Sequence, residues 1–198
     1  MANMSAKTYL FFGNVGAGKG TQVALLKEDL KRRDGANVVY AYPGNEFRQF
    51  VSEKGYSNTL AKEILDRGNL LPLFLVATMF AHVVTRELQT SDDHLIIDGF
   101  PRSLEQVPVF ESAMSFYGRK NIEIIYLNIG KEEAIRRLRD RGRHDDTDEG
   151  IANRFEEYEK NVVPALALLK EKGYRIYTVE GEKHIDEVHA DIKKVLEL

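Results

Sequence analysis

Short apolar runs alternate along the chain with longer segments whose apolar residues recur at helical spacing. The runs lack polar alternation, as in LIID and IEIIYLNI, which is typical of strands buried on both faces. They predict five strands, over residues 8–12, 38–42, 95–98, 122–128 and 175–179. The segments between and after them predict helices over residues 21–33, 45–53, 59–67, 71–88, 104–116, 131–139, 148–172 and 185–196.

This alternation predicts an α/β fold in which a five-stranded parallel sheet carries helices on both faces. The chain of 198 residues has no internal repeat and no long linker, so we expect one domain over residues 1–198. Ligands of such sheets bind beyond the carboxyl ends of the strands. The candidate motifs fall at those ends, which indicates one shared site.

Composition and charge narrow the function classes. A net charge of −3 argues against a general nucleic-acid binder. The chain has no cysteine, which excludes disulfides, thiol catalysis and cysteine-ligated zinc and is compatible with a cytoplasmic location. No segment before residue 9 has the pattern of a signal peptide, and the most apolar run, residues 70–84, is shorter than the ~20 residues that span a bilayer. We therefore expect neither a nucleic acid nor a membrane as partner.

The segment GNVGAGKGT, residues 13–21, directly follows the first predicted strand and opens a helix. It fits the phosphate-binding pattern G-x-x-x-x-G-K-[ST], except that a glycine follows the lysine and the hydroxyl comes one position later. The glycines let successive N–H groups point at phosphate oxygens, and the start of the helix adds its dipole. The segment predicts a nucleotide site of the P-loop NTPase type, with phosphate contacts from Gly16, Ala17, Gly18, Lys19, Gly20 and Thr21.

A second motif, DGFPR at residues 98–102, ends the third predicted strand. Asp98 would lie near the phosphate loop there, where a carboxylate is suited to hold Mg²⁺ directly or through water while Thr21 supplies a hydroxyl. Mg²⁺ is therefore the predicted cofactor. Arg102 follows, and its guanidinium group can bind a second phosphate group through two N–H groups.

The third constellation is a cluster of arginines, which suggests an anionic partner. Arg137 and Arg141 are four residues apart and so share one helix face. A solvated basic face is the alternative, and it applies most to Arg136 and Arg139. The five histidines are scattered, so we expect them on helix faces or at the surface and predict no metal site from them. The cluster comprises Arg136, Arg137, Arg139, Arg141, Arg143 and Arg154.

In combination, GAGKGT, DGFPR and the arginine-rich segment that ends in DD resemble the adenylate kinase family, over essentially all of residues 7–198. The resemblance implies a five-stranded parallel core, transfer of the γ-phosphoryl group of Mg·ATP to AMP, and flexible segments that close over both nucleotides. Phosphoryl transfer depends on positioning and on stabilisation of charge, so no general base is expected. The catalytic residues implied are Lys19, Arg102, Arg137, Arg141, Arg143 and Arg154.

On the ATP side, the resemblance implies that residues 13–21 bind the phosphates and that Lys19 stabilises the transferring group. Arg137 and Arg141 match the family's R-L-x-x-R, and Arg137 joins the ATP-binding set. Lys183 joins it too, because VEGEKHIDEV is similar to the stretch that lies against the ATP adenine in that family.

On the AMP side, the family's S-T-G-D-x-x-R appears at residues 42–48, which implies a helical AMP-binding insertion over residues 43–72. Pro43 replaces the threonine and Asn45 replaces the acid, so recognition of the base stays open. Gln106 matches the glutamine that reads adenine, since an amide can donate to a ring nitrogen and accept from the amino group. Leu70 and Leu71 resemble the family's apolar wall and backbone contacts for that base, and core packing explains both residues equally well. The implied AMP-binding residues are Pro43, Arg48, Leu70, Leu71, Gly99, Arg102, Gln106, Arg143 and Arg154.

The chain departs from the family at the lid, because only Gly142 separates Arg141 from Arg143. We expect a minimal lid stub over residues 137–146, which either closes by itself or is completed by a neighbouring subunit; the oligomeric state stays open. A poorly covered site admits water, so we expect detectable ATP hydrolysis without AMP.

Three other functions remain as alternatives. The first is a UMP or CMP kinase, because position 43 helps to choose the base and carries a proline here. The second is a nucleotide-binding regulator that has lost turnover, which the short lid suggests. A P-loop GTPase ranks last, because the chain has no N-K-x-D motif to read guanine.

Overall fold

The computed structural model describes residues 6–142 and 147–198. Its strands are β1 (Thr8–Phe12), β2 (Val38–Ala41), β3 (His94–Asp98), β4 (Ile122–Asn128) and β5 (Arg175–Glu180). Its α-helices are α1 (Lys19–Asp34), α2 (Pro43–Ser52), α3 (Tyr56–Asp66), α4 (Leu73–Glu87), α5 (Gln106–Phe116), α6 (Lys131–Arg141), α7 (Asp148–Glu157), α8 (Val163–Glu171) and α9 (Ile185–Leu196). A π-helical turn over Tyr158–Val162 joins α7 to α8.

The strands form one parallel sheet in the order β2-β3-β1-β4-β5, which confirms the predicted fold class. Strand β1 is central, and its Phe11 pairs with Asp98 of β3. Because parallel strands all end at the same edge of a sheet, the loops after β1, β2 and β3 meet there. These loops carry the phosphate loop, the start of α2 and the DGFPR motif.

Side chains that alternate along the strands enter two separate cores. Leu10 of β1 and Ile97 of β3 pack under α4, α5 and α8, whereas Phe11 and Ile96 pack under α1 and α9. All residues of β1 and β3 are buried, which explains why both strands read as apolar runs without polar alternation. The two cores hold the central strands rigidly beneath the site.

The predicted single helix over residues 148–172 is wrong, because the π-helical turn interrupts it. Pro164 lies in the first turn of α8 and has no N–H group to donate to a preceding carbonyl. Immediately before it, the Val163 N–H donates to the Tyr158 carbonyl five residues back, the spacing of a π turn. The remaining predicted elements are all found, with ends that differ from the predicted ones by at most three residues.

The most apolar predicted segment belongs to α4, whose buried residues pack into the larger core. Across the described ranges, no helix combines the length and apolar character that crossing a membrane requires.

Candidate functional site

The phosphate loop leaves β1 in a conformation that depends on glycine. Gly16 and Gly18 have φ angles of 83° and 84°, in the left-handed region that only glycine enters readily. A Cβ at Gly16 would lie 2.6 Å from the Ala134 carbonyl oxygen, so the loop packs directly on α6. Gly18 precedes α1, which begins at Lys19 and not at residue 21 as predicted. The first N–H groups of a helix have no acceptor within the helix, so the start of α1 offers donors to an anion.

Lys19 lies at the centre of the site. Its Nζ donates to the carbonyl oxygens of Gly13 at 2.7 Å and Asn14 at 3.0 Å. Burial lowers the pKa of Lys19; nearby Asp98 opposes this change, while Arg102 and Arg141 add to it. The structure thus brings together the lysine of the first motif, the acid and arginine of the second, and an arginine of the third.

Asp98 ends β3 and is only 5% exposed. The Tyr40 hydroxyl donates to its Oδ2 at 3.0 Å, and its Oδ1 has no hydrogen-bond partner within the described residues. A buried carboxylate oxygen without a donor fits a cation or an ordered water. Thr21 is exposed on the first turn of α1. The unpartnered Oδ1 of Asp98 thus fits the predicted Mg²⁺ ligand, and the pairing of Asp98 with Thr21 stays a prediction.

Arg102 and Gln106 are linked at the start of α5. The Arg102 N–H donates to Gln106 Oε1 at 2.7 Å, and Gln106 is only 3% exposed. This bond fixes the amide oxygen and leaves the amide nitrogen as the group that donates elsewhere. Gly99, with φ 77°, lets the chain turn between Asp98 and this pair.

Arg137 connects the phosphate loop to the segment after β5. Its Nη1 donates to the Gly181 carbonyl at 2.9 Å and its Nε to Glu133 at 2.7 Å, while a Cβ at Gly18 would lie 3.9 Å from Nη1. The Lys183 ammonium instead pairs with Asp191 at 2.6 Å. The charge of Lys183 is thus engaged by Asp191, and its predicted contact with ATP stays a prediction.

The other arginines separate into two groups. The Arg154 Nε donates to the Gly150 carbonyl at 3.1 Å, and a Cβ at Gly68 would lie 3.4 Å from Arg154 Cγ, which places Arg154 beside the end of the predicted AMP insertion. Arg136 pairs with Glu133 and Asp140 at the surface, and Arg139 with Asp148, as the solvated-face alternative expects. Arg143 and the end of the predicted lid stub lie outside the described residues.

Arg48 extends from α2 over the ring of Tyr42, with Cζ 5.3 Å from the ring centroid, and it donates to Asn45 Oδ1. Pro43 is buried in the first turn of α2. Leu71 is a member of the larger core, in agreement with the packing alternative for it, and Leu70 is half-buried.

Sequence reasoning missed Tyr40 and Tyr42. Both lie on the same face at the end of β2, and their rings stack 5.7 Å apart at an angle of 9°. Two tyrosines at alternate positions next to a motif were the available signal.

The expectation that the histidines lie on helix faces or at the surface is wrong for His94, which is buried within a strand. His94 is 1% exposed within β3, where its Nδ1 accepts from the Lys7 N–H and its Nε2 contacts Asp34 at 3.0 Å. His189 is buried on α9 against Asp29 and Gln22. Within the ranges described, no group of three or more side chains offers a metal site of the histidine, cysteine or acid type.

Comparison with known proteins identifies relatives along nearly the whole chain. A family model described as adenylate kinase matches residues 11–174. An "Adenylate kinase" of Corynebacterium glutamicum (strain R) is 30% identical over 189 residues, which cover 94% of this chain and 97% of that protein. An "Adenylate kinase 1" of Nostoc sp. has the same identity and coverage. An "Adenylate kinase" of Prochlorococcus marinus is 30% identical over 190 residues, which cover 96% of this chain and 98% of that protein.

Proposed function

The chain belongs to the adenylate kinase family and is an ATP:AMP phosphotransferase, and we propose that its phosphate loop, Asp98 and the clustered arginines carry out the transfer. This membership supports AMP as the phosphoryl acceptor and supports neither a UMP or CMP kinase nor a regulator without turnover. A cytoplasmic location remains a prediction from the lack of cysteine.

One observation carries the assignment of residues: Asp98, Arg102 and Arg141 all lie close enough to Lys19 to change its pKa. Asp98 ends β3, Arg102 follows it in the DGFPR motif, and Arg141 ends α6. Arg102 and Arg141 add two positive charges near Lys19 against the one negative charge of Asp98, and this net positive charge suits an anion. A polyphosphate is the anion that the adjacent helix start and phosphate loop are built to hold.

On the donor side, the backbone N–H groups of residues 16–21 bind the ATP phosphates in this proposal. Lys19 turns from the carbonyls of Gly13 and Asn14 toward the transferring group and stabilises its charge. Arg137 holds the segment around Gly181, which we propose as one wall of the adenine site.

Asp98 and Thr21 are the residues we propose to hold Mg²⁺, directly or through water. The unpartnered Oδ1 of Asp98 supports this assignment, because its Oδ2 is already engaged by Tyr40. When bound, the ion would neutralise charge on the ATP phosphates.

On the acceptor side, we propose that Arg48, Arg102 and Arg154 bind the AMP phosphate and that Gln106 faces the base. Gln106 is buried and its oxygen is fixed by the Arg102 N–H, so its amide nitrogen is a donor of defined position. A donor suits the unprotonated ring nitrogen of adenine at that edge. The hydrogen bond between Arg102 and Gln106 thus links recognition of the AMP base to the position of Arg102.

The short connection between α6 and α7 supports incomplete exclusion of water from the phosphates. Water that reaches the γ-phosphoryl group competes with AMP, so we expect ADP formation from Mg·ATP alone. A rate without AMP that is indistinguishable from the uncatalysed rate would contradict this expectation.

The direct test is coupled detection of ADP from Mg·ATP with AMP, UMP, CMP or GMP offered separately. We expect the highest kcat/KM with AMP. A preference for UMP or CMP would overturn the role of Gln106. The variant Gln106→Leu should reduce discrimination between AMP and CMP, whereas Gln49→Leu, on the exposed side of α2, is the matched control.

A further inference from the structure

We propose that Tyr42 is a positioning residue for the phosphoryl acceptor, because its ring holds the guanidinium group of Arg48 in the orientation that meets the acceptor phosphate. This inference rests on the proposed function, since it assumes that Arg48 binds that phosphate. Nothing in the P-loop or the DGFPR motif requires an aromatic residue at this position.

The guanidinium group of Arg48 is held on two sides. The Arg48 Cζ lies 5.3 Å from the centroid of the Tyr42 ring, within the range of a cation–π contact. Its Nη2 donates to the Asn45 side-chain oxygen. Because Asn45 is neutral, neither contact cancels the positive charge, and the whole charge of Arg48 remains for a phosphate.

The Tyr42 ring is itself fixed from several directions. Tyr40 stacks on one face, with ring centroids 5.7 Å apart. A Cβ at Gly44 would lie 2.5 Å from Tyr42 Cζ, and a Cβ at Gly99 would lie 3.5 Å from Tyr42 Cε2, so both glycines leave the space that the ring fills. A tyrosine has two side-chain torsions and loses little entropy when it is held in this way.

The stack continues to the proposed metal ligand. The hydroxyl of Tyr40 donates to Asp98 Oδ2 at 3.0 Å. The series Arg48, Tyr42, Tyr40 and Asp98 therefore runs from the acceptor side of the site to the metal side along the end of β2. A change at Tyr42 should be felt first at Arg48, which is exposed, and less at the buried Asp98.

The two departures from the family pattern at positions 42 and 45 both contact Arg48. The pattern S-T-G-D-x-x-R has a serine and an acid there, where this chain has Tyr42 and Asn45. A neutral amide holds an arginine more weakly than a carboxylate does. An aromatic face next to it offsets that loss without adding negative charge near the incoming phosphate.

The test compares Tyr42→Leu, which removes the aromatic face, with Tyr42→Phe, which keeps it. A cation–π contact at an exposed site corresponds to a rise of about two- to fivefold in the KM for AMP with Tyr42→Leu. We expect the KM for ATP and kcat to stay within error, and Tyr42→Phe to match the unaltered protein. The matched control is Tyr56→Leu, because the Tyr56 ring is 82% exposed on α3.

A double-variant cycle with Arg48→Met isolates the contact. If Tyr42 acts through Arg48, adding Tyr42→Leu to Arg48→Met should not raise the KM for AMP further. Equal rises in the KM for ATP and AMP, a loss of kcat alone, or fully additive effects would overturn the proposal. Should Tyr42→Leu fail to fold, Tyr42→Met, with a flexible side chain of similar size, serves in the same cycle.

Failure of this inference is distinguishable from failure of the proposed function. If the unaltered protein makes no ADP from Mg·ATP and AMP, the proposed function is wrong. If it does, and Tyr42→Leu leaves the KM for AMP unchanged, only the role of Tyr42 is wrong.

Discussion

The phosphate loop offers a graded test of the structure, through alanine substitutions at three of its glycines in the absence of nucleotide. Gly16 has φ 83° and no room for a Cβ, since that atom would lie 2.6 Å from the Ala134 carbonyl. Gly18 has φ 84°, but the nearest atom to its Cβ is 3.9 Å away. Gly20 lies in the first turn of α1, without a positive φ, and no atom of the described residues lies within 4 Å of a Cβ built there.

The expected effects differ in sign as well as in size. Left-handed backbone costs an alanine about 1–2 kcal/mol, so Gly18→Ala should lower the free energy of unfolding by that amount. Gly16→Ala should cost more than Gly18→Ala, because the strain is joined by a contact with α6 backbone that only a shift of the loop relieves. Gly20→Ala should be neutral or raise the free energy of unfolding by up to about 1 kcal/mol, because alanine favours helix over glycine.

Urea unfolding followed by circular dichroism, with the slope compared among variants, measures all three changes. We expect the free energy of unfolding to be lowest for Gly16→Ala, higher for Gly18→Ala and highest for Gly20→Ala. Equal losses for the three variants, or a loss for Gly20→Ala as large as that for Gly16→Ala, would refute the loop conformation described above.

Three further predictions concern catalysis and stability. Lys19→Ala should slow transfer by about 10²–10³-fold, as when one preorganised donor is removed from a charged transition state. Arg136→Ala should change kcat less than about twofold, because the ion pairs of Arg136 are exposed. Small and equal effects of the two substitutions in the coupled assay would show that Lys19 is not catalytic. Burial together with Arg102 and Arg141 lowers the pKa of Lys19 in the nucleotide-free protein, despite Asp98. The value of kcat/KM for ATP, which reports the free enzyme, should therefore fall on the alkaline side at a lower pH than an ordinary lysine would give, and Lys19→Arg should move that fall to higher pH. A kcat/KM profile that does not move would contradict this. Burial raises the pKa of Asp93, but hydrogen bonds from the Gln89 and Thr90 N–H groups and from the Thr90 hydroxyl outweigh it and hold the net pKa below the usual value. A carboxyl group with a depressed pKa in the folded state stabilises the fold above its unfolded pKa of about 3.9, and this stabilisation is lost as pH falls through the folded pKa. Asp93→Asn should therefore lower the free energy of unfolding by about 1 kcal/mol near neutral pH. The difference in Tm between Asp93→Asn and the unaltered protein should shrink in acid.

The parts of the fold that short-range pattern controls were predictable from the sequence. Strands buried on both faces appear as apolar runs, and the predicted bounds of β1 and β4 match the structure. The phosphate loop was predictable because its glycines, its lysine and the following helix are contiguous. The π-helical turn before α8 was not, because helical periodicity continues through it and only the hydrogen bonds reveal the extra residue.

The parts that depend on long-range partners escaped prediction. His94 and His189 are buried because Asp34 and Asp29, 60 and 160 residues away along the chain, accept their hydrogen bonds. Nothing in local spacing distinguishes His94 and His189 from surface histidines. The contact between Tyr42 and Arg48 is local by contrast, since these residues are six positions apart, and the two alternate tyrosines next to the motif were its signal in the sequence.

The short connection between α6 and α7 constrains how this enzyme encloses its substrates. Five residues, 143–147, separate Gly142 from the start of α7, so the Cα atoms of Gly142 and Asp148 are at most about 22 Å apart. Arg141 and Arg154 therefore lie on helices whose facing ends cannot move far apart. A Cβ at Gly68 would lie 3.1 Å from the Gly150 carbonyl, so the end of the predicted AMP insertion packs against α7. We therefore predict that a movement of the predicted AMP insertion on binding AMP would be transmitted to the helix that carries Arg154, one of the proposed phosphate ligands.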